Sequence, residues 1–577
     1  MNFISASCLI LSANTFFLFA LPLQAQVLPE NVEESLIEPL ESLPELFPLP
    51  NDRLQIEDWI TEPESLEPEP LESELDPEEN FSTDLLEERP NTFSIQEIQV
   101  LGNSRFHDEI EQLVLNLEEK KDISLADLLD LRTDITRLYI EGDYLSSGAF
   151  IPTNQELNDG IVQIQVVEGE IEQLQIRGLE RLREGYVRDR IARVTKPPLN
   201  INYLEEGLQL LQIDPVFQSV DAELTAGSGP GKNILILELA EADPFYGRLS
   251  VDNYRSPSIG SLQGTATVDH INLLGVGDRL NLGYSLTEGL DNYQVGYTLP
   301  LNASDGTFQI SYQTSDSDII EAQFLDAGIR SSSETLSFKF RQPVVRSISN
   351  EVTLGLDFDL RESRSFIADD LPFSFSVGPE AGVSKVRALR FSQEWVNRDI
   401  NTVLAMRSQI NLGLGIFDAT VNDTGTDGRF ISWQGQFQWV EQFSPGTLLL
   451  TRVNAQLTAD SLLPLERFSV GGVNTVRGYT QNQIVADNAV TLSTEFRFPV
   501  ADNLQLTPFI DAGGGWNNQT PDPEPSFLLG TGLGFRWQPS DNFNLRVDYG
   551  IPLISPGEEG KSFQDNGLYF SVNMLHF

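Results

Sequence analysis

The sequence predicts a mostly β protein in which two small α+β units precede a 16-stranded antiparallel transmembrane β-barrel. Three observations predict this fold class. The last part of the chain alternates bulky apolar residues with small or polar ones, the lipid-out and water-in pattern of outer-membrane barrel strands. The two segments before it share the element order β-α-α-β-β. After residue 25 no apolar run is long enough for a transmembrane helix.

Composition excludes several functional classes. The chain has 577 residues, a net charge of −49 and a pI near 4.2, so we expect no binding to nucleic acid through phosphate neutralisation. Its mean hydropathy of −0.18 excludes a helical membrane protein. The one cysteine, Cys8, falls in a segment that we expect to be removed, which leaves no disulfide or thiolate site. The histidines are scattered, at His107, His270 and His576, so we expect no metal and no cofactor.

The first 91 residues predict a signal peptide followed by a linker. Residues 1–25 carry an apolar stretch that ends at Leu23-Gln24-Ala25, a small-residue cleavage site, although no Lys or Arg precedes Arg53. Residues 26–91 are rich in Glu and Pro, with roughly twenty acidic residues against two arginines. They offer too little apolar surface to offset the entropy of ordering. We therefore expect a disordered linker there.

Residues 92–169 and 170–243 each predict one β-α-α-β-β unit. In the first, Ser124 and Asp127 have the spacing of a capping box at a helix start. In the second, Pro197-Pro198 separates the two helices. A repeat of about 75 residues has the size of small domains in series. The predicted helices are His107–Leu117, Ser124–Glu141, Tyr186–Val194 and Tyr203–Gln212, and the closing strands are Gly148–Ile151, Ile161–Val167, Phe217–Thr225 and Ile234–Leu239.

Residues 244–577 predict the barrel. Leu282, Tyr284 and Leu286 alternate with small or polar residues, and at roughly twenty residues per strand and connection this part supplies about sixteen strands. A soluble β-sandwich also alternates, but its strands are shorter and its apolar face points inward. Tyr569, Leu575 and Phe577 share one face of the last strand, which ends on an aromatic residue. We expect this strand to be the signal that barrel-assembly machinery recognises.

A charged motif in the barrel half is the candidate site. Val476, Arg477, Gly478 and Tyr479 lie in a connection of about twenty-five residues, and a bare arginine inside a membrane barrel is a functional candidate by default. Asp511, between Phe509 and Gly513, is its expected counter-charge, because a guanidinium pairs bidentately with a carboxylate. If the connection stays outside the barrel, Arg477 is only an exposed loop residue.

The barrel half also contains three glycines at every second position. Gly530, Gly532 and Gly534 form a G-x-G-x-G line, but no helix follows, which argues against a phosphate-binding loop. We interpret them as a smooth patch of wall beside the connection that carries Arg477. The sequence contains no P-loop, so we expect no nucleotide hydrolysis. It supplies no positioned base for a paired-carboxylate or serine hydrolase, so we expect no enzymatic activity.

The motifs resemble those of a known family. Ala149–Leu157 followed by Val166-Val167-Glu168-Gly169, Leu204–Leu211, Val476–Tyr479 and Phe509–Gly513 occur in an order similar to that of the outer-membrane transporters of two-partner secretion. These are the TpsB class, the haemolysin activators and filamentous-haemagglutinin secretion proteins. The α+β units resemble POTRA domains, and the resemblance covers the chain from about residue 90. Members of the family often carry an N-terminal helix that plugs the barrel. In this chain the corresponding residues 26–91 are acidic and rich in proline, so the sequence does not decide whether they contain such a helix.

The resemblance implies a function. It implies a barrel in the cell outer membrane with POTRA domains in the periplasm, exporting one large secreted exoprotein of the TpsA type, of β-helical fold, without nucleotide hydrolysis. The other expected partners are outer-membrane lipid and, during biogenesis, the assembly machinery; we expect a monomer and no nucleic acid. Gly148, Ala149, Phe150 and Ile151 are a candidate edge for client binding by β-augmentation.

Two other functions remain open at this stage. An outer-membrane protein assembly or insertion factor shares the POTRA domains and the arginine motif, but such factors typically carry more than two POTRA units. A passive solute porin has no use for the two α+β units. The identity of the client and the POTRA surface that binds it do not follow from the sequence.

Overall fold

The computed structural model describes residues 92–575, apart from residues 94, 121–122, 154, 156–159, 369, 424, 502 and 558–559. The expected signal peptide and acidic linker lie outside the described residues, and so does Phe577. No helix in the described part of the chain is long and apolar enough to cross a membrane.

The first α+β unit has the predicted element order. Its sheet has the order β2-β5-β4, with β2 parallel and β4 antiparallel to β5. A two-residue ribbon, β1 with β3, is additional. Ser124 and Asp127 form the predicted capping box on α2, and the α2 side chains Ile135 and Tyr139 pack fully buried in the core. The elements are β1 Thr92–Phe93, β2 Glu97–Leu101, α1 His107–Glu118, β3 Ile123–Ser124, α2 Leu125–Glu141, β4 Gly148–Phe150 and β5 Ile161–Val167.

The second unit repeats the topology. Its sheet has the order β6-β8-β7, with β6 parallel and β7 antiparallel to β8. Alternate residues of β8 (Leu235, Leu237 and Leu239) are buried under the two helices, which is the core that the period-two pattern predicts. The elements are β6 Glu170–Arg177, α3 Glu184–Val194, α4 Ile201–Gln212, β7 Phe217–Ala226 and β8 Lys232–Glu241.

Hydrogen bonds and ion pairs fix the second unit to its neighbours. The Asn200 side chain donates to the Gly142 carbonyl of the first unit at 3.0 Å. On the other side, the Arg190 guanidinium pairs with Asp305 at 2.6 Å and stacks on the Tyr186 ring. Asp305 lies in the turn that follows Pro300 in the barrel. The second unit is therefore held against the periplasmic turns of the barrel.

Sixteen long antiparallel strands close into the barrel, which confirms the predicted fold class. The last strand, β27, pairs with the first, β9, and closes the ring. The short strand β16 (Leu371–Pro372) only extends the β15 pairing. The long strands are β9 Phe245–Asp252, β10 Gln263–Ile271, β11 Arg279–Leu286, β12 Leu290–Pro300, β13 Thr307–Asp318, β14 Arg330–Arg346, β15 Asn350–Ile367, β17 Val383–Arg398, β18 Thr402–Gly413, β19 Ile431–Ser444, β20 Thr447–Thr458, β23 Asn488–Ala501, β24 Leu504–Trp516, β25 Phe527–Ser540, β26 Phe543–Pro552 and β27 Leu568–Leu575.

The two faces of the wall differ as the alternation predicts. Leu282 and Leu286 are 46% and 44% exposed on the outside, where lipid surrounds an outer-membrane barrel. Ser285 and Asn292, on the inner face of neighbouring strands, are fully buried and hydrogen-bonded to each other. The lumen is therefore lined by polar side chains.

Glu168, which follows the last strand of the first unit, is hydrogen-bonded to the turn after β2 and to helix α2. Its carboxylate accepts hydrogen bonds from the backbone N–H and hydroxyl of Ser104, at 2.6 and 2.7 Å, and from the Tyr139 hydroxyl at 2.7 Å. Partial burial alone raises the pKa of Glu168, but these donors outweigh burial and lower it below its ordinary value of 4.5. The ionised form therefore stabilises the unit above that pH.

Glu168→Gln should speed amide hydrogen exchange in β2 and α2 roughly tenfold near neutral pH, because a donor is left without its charged acceptor. A lowered folded pKa gives stability that is present above 4.5 and lost as the pH falls through the folded value, so the variant and wild type should converge in acid. Glu111→Gln, at an exposed position on α1, is the control. Equal exchange in both variants at neutral pH contradicts the prediction.

Candidate functional site

The segment between β20 and β23 folds into the barrel. It contains a short hairpin, β21 (Phe468–Val470) with β22 (Ile484–Ala486), and a 3₁₀ turn at Pro464–Glu466. Its residues Val470, Val476 and Tyr479 are buried against the wall residue Leu528. We call residues 459–487 the lumenal loop. The burial of Val476 and Tyr479 excludes an extended loop outside the barrel.

Arg477 lies at the inner tip of the lumenal loop and meets Asp511 on β24. The Asp511 carboxylate accepts hydrogen bonds from Arg477 Nε at 2.7 Å, from Nη2 at 3.0 Å and from the Arg477 backbone N–H at 3.1 Å. Both side chains are almost fully buried. The Arg477 guanidinium also lies over the Phe509 ring, 3.4 Å from its centroid. The structure thus brings together Arg477, Phe509 and Asp511, which the sequence paired.

Two further carboxylates complete the site, and sequence reasoning missed both. Arg477 Nη1 donates to Glu495 on β23 at 2.7 Å and lies 3.6 Å from Asp548 on β26. Glu495 also pairs with Arg497 at 2.7 Å and with Arg546 at 3.2 Å. Glu495 is the one acidic residue in the alternating strand β23, a signal that could have identified it. The site is a network of alternating charges.

Two tyrosine hydroxyls connect the loop tip to the wall. The Tyr569 hydroxyl on β27 donates to the Tyr479 carbonyl at 2.6 Å and accepts from the Gly478 N–H at 2.9 Å. The Tyr479 hydroxyl reaches the backbone of Leu529 and Ile554. Tyr569 therefore faces the lumen and contacts the loop, a contact that the sequence analysis did not foresee. Its role in assembly stays a prediction, as do those of Leu575 and Phe577.

Glycines allow the loop and the wall to approach each other closely. Gly478 has φ of +101°, a region that favours glycine, and a Cβ there would lie 3.0 Å from the backbone of Ile551. On the wall, a Cβ on Gly530 would overlap the Arg477 carbonyl oxygen, and one on Gly513 would lie 2.7 Å from Val470. Of the three glycines predicted to form a smooth patch beside the loop, Gly530 alone meets it. A Cβ on Gly532 would meet the Tyr549 carbonyl oxygen and the Phe509 ring, and one on Gly534 would meet Asp548 and Thr507.

A barrel preceded by two α+β units, with such a loop in its lumen, fits both outer-membrane transporters and assembly factors, and the family match decides between them. A family model described as haemolysin secretion/activation protein ShlB/FhaC/HecB matches residues 231–537, and a model of the ShlB-type POTRA domain matches residues 93–169. The first match spans more than half of the chain. The chain belongs to the haemolysin secretion/activation family and is an outer-membrane transporter of two-partner secretion.

Curated relatives and solved structures agree with this assignment. The chain is 22% identical over 468 residues to the outer membrane transporter CdiB of Dickeya dadantii, covering 75% of this chain and 78% of that protein. It is 21% identical over 500 residues to the heme/hemopexin transporter protein HuxB of Haemophilus influenzae, covering 83% and 82%. The structure of CdiB from Escherichia coli superposes with a TM-score of 0.66 at 21% identity, covering 85% of this chain and 92% of that one, and shows the fold.

Gly530→Ala should unseat the lumenal loop, because the added methyl group meets backbone rather than a flexible side chain. We expect larger or more frequent open-channel currents in planar bilayers. Gly264→Ala on β10 is the matched control, since its Cβ would only make an ordinary contact with Leu286 at 3.8 Å. Currents of wild-type size from Gly530→Ala would argue against a seated loop.

Proposed function

We propose that the lumenal loop controls passage of one large secreted exoprotein through this barrel, and that Arg477 is the residue that sets the loop position. The observation that carries the proposal is the burial of Arg477 among Asp511, Glu495 and Asp548. The family assignment supports transport of a protein rather than of a small solute.

The energetics of the pair support a control element. Removing one partner of a buried ion pair costs about 3–5 kcal/mol, because the other charge is left uncompensated. The loop backbone adds hydrogen bonds to Tyr569 and Asp511. Because these contacts hold the loop tip against the wall, the loop can move only if they break. A client that needs the space occupied by the loop therefore requires the Arg477 contacts to open.

The POTRA units supply the periplasmic binding surface in this proposal. Strand β4, with Gly148, Ala149 and Phe150, lies at the edge of its sheet, as β-augmentation requires. The Ala149 N–H already donates to the Thr136 hydroxyl at 3.0 Å, which leaves fewer free groups on this edge. Strand β7 is the corresponding edge of the second unit, is ten residues long and is largely exposed. We propose that an extended client pairs with these edges, with β7 offering the longer one.

The names of the relatives support a proposal about the client. They are described as a transporter CdiB, a heme/hemopexin transporter and a hemolysin transporter, the last from Proteus mirabilis. We propose a TpsA-type exoprotein of β-helical fold as the partner of this chain. BamA of Haemophilus ducreyi superposes with a TM-score of 0.50 at 16% identity, which concerns the fold alone. The expected monomer and the expected lack of enzymatic activity stay predictions.

Arg477→Ala should reduce export of the client strongly while the barrel still inserts, because the tip loses every ionic contact with the wall. Arg477→Lys keeps the charge but not the planar fork, so export should be intermediate. Arg429→Ala serves as the control, since that side chain is 55% exposed. Client in the medium and transporter in the outer membrane are both quantified. Normal export by Arg477→Ala would refute the proposed role.

Depletion of the protein separates export from barrel assembly. A transporter should leave one exoprotein stranded in the periplasm while other outer-membrane proteins reach normal levels. An assembly factor should instead lower many barrels together. Proteomes of periplasm and outer membrane before and after depletion decide between the two functions.

A further inference from the structure

We propose that Glu466 is a second anchor of the lumenal loop, opposite in charge to Arg477 and held by arginines on the facing wall. Glu466 precedes the loop tip and is 6% exposed inside the barrel. This inference deepens the proposed function and rests on it, because it assigns a further positioning residue to the same loop.

The contacts of Glu466 form a complete ionic cluster. Its Oε1 accepts from Arg390 Nη2 at 2.8 Å and from Arg361 Nη1 at 2.9 Å, and its Oε2 accepts from Arg390 Nη1 at 3.0 Å. Arg390 also donates through Nε to Asp359 at 2.6 Å. The Ser337 hydroxyl donates to that carboxylate at 2.7 Å. Two arginines thus meet two carboxylates, and one of those carboxylates belongs to the loop.

The backbone around Glu466 is fixed as well. Arg361 Nη1 donates to the Leu465 carbonyl at 2.6 Å, and Gln456 on β20 donates to the Glu466 carbonyl at 2.9 Å. The same Gln456 amide donates to the Asp487 carbonyl at 3.1 Å, where the loop rejoins the barrel. The cluster therefore positions the whole first turn of the loop, not only one side chain.

The two anchors stand on different sides of the lumen. Arg361 and Asp359 lie on β15 and Arg390 on β17, whereas the Arg477 partners lie on β23, β24 and β26. Strands β18, β19 and β20 separate β17 from β23 in the ring, and β15 stands opposite β26. The segment from Glu466 to Arg477 thus runs across the lumen, from two wall arginines that hold Glu466 to three wall carboxylates that hold Arg477.

Opposite polarity makes the attachment specific. A carboxylate that strays toward Asp511 and Glu495 is repelled, and so is a guanidinium that strays toward Arg361 and Arg390. The direct contacts of the two anchors therefore favour the observed orientation of the loop. Because each anchor holds a separate end of this segment, breaking one leaves the loop tethered at the other, and full withdrawal requires both clusters to open.

The test uses the full-length purified protein and needs no client. Glu466→Gln keeps the side-chain size and removes the charge, Glu466→Asp keeps the charge at shorter reach, and Arg361→Gln removes a donor from the wall. Glu524→Gln, at an exposed carboxylate in the connection between β24 and β25, is the matched control. Each variant is compared alone and with Arg477→Ala. Two quantities are measured: the rate of trypsin cleavage after Arg467, resolved by mass spectrometry, and the open fraction in planar bilayers.

We expect Glu466→Gln and Arg361→Gln to speed cleavage after Arg467 roughly tenfold, since an unpaired buried charge shifts a two-state equilibrium by at least that factor. Glu466→Asp should recover part of the protection. The double variant Glu466→Gln with Arg477→Ala should show an open fraction well above either single variant. Heat-modifiable electrophoretic mobility checks that each barrel is folded.

Cleavage rates of Glu466→Gln and Arg361→Gln equal to that of Glu524→Gln would overturn the second anchor. So would a double variant no more open than Arg477→Ala alone. Normal client export by Arg477→Ala would remove the proposed function instead, and the cleavage data would still decide on Glu466, because they are obtained without a client.

Discussion

The burial of one guanidinium inside the barrel is the constraint on which the rest of the lumen depends. Arg477 is 2% exposed, and a cation in that position is tolerated only where charges and acceptors surround it. Asp511, Glu495 and Asp548 supply the charges. The glycine at 530 lets the loop backbone approach the wall closely enough for those contacts to form, and Tyr569 holds the next peptide bond. Residues on five strands of the wall and on the loop itself thus contact or position this one side chain.

Much of this could be predicted from the sequence, for a physical reason. Period-two alternation over long strands and the repeated β-α-α-β-β pattern are local signals, so the predicted elements are present with ends shifted by only a few residues. Arg477 and Asp511 were also identifiable, because a charge in a membrane barrel needs a partner. Asp548 was not, since its proximity depends on strand register: Ser493 pairs with Asp511, and Gly534 with Asp548. Glu495 left a signal as the one acidic residue of its strand, but its contact with Arg477 depends on the same register. Register is set by the whole closed ring, not by any one strand.

Arginines on the inner wall of the barrel pair with many of the carboxylates that face the lumen. Arg390 faces Asp359, Arg407 faces Glu394 and Arg546 faces Asp548, each pair on the inner wall. Every such pair lowers the cost of a charge in a narrow, partly solvated space. Charges of the two signs alternate along this wall. It still presents local pockets of one sign, which the loop uses.

Side-chain contacts connect the second α+β unit to the barrel wall. The Tyr186 hydroxyl donates to Asp214 at 2.6 Å, and Arg190 lies over the Tyr186 ring while it pairs with Asp305. Burial raises the pKa of Asp214, although Tyr186 and Arg190 act against it. Asp305 also pairs with Arg346 at the end of β14, at 3.1 Å. Because β14 pairs along its length with β15, which carries Arg361, the second unit is anchored on the strand next to the wall that receives the lumenal loop.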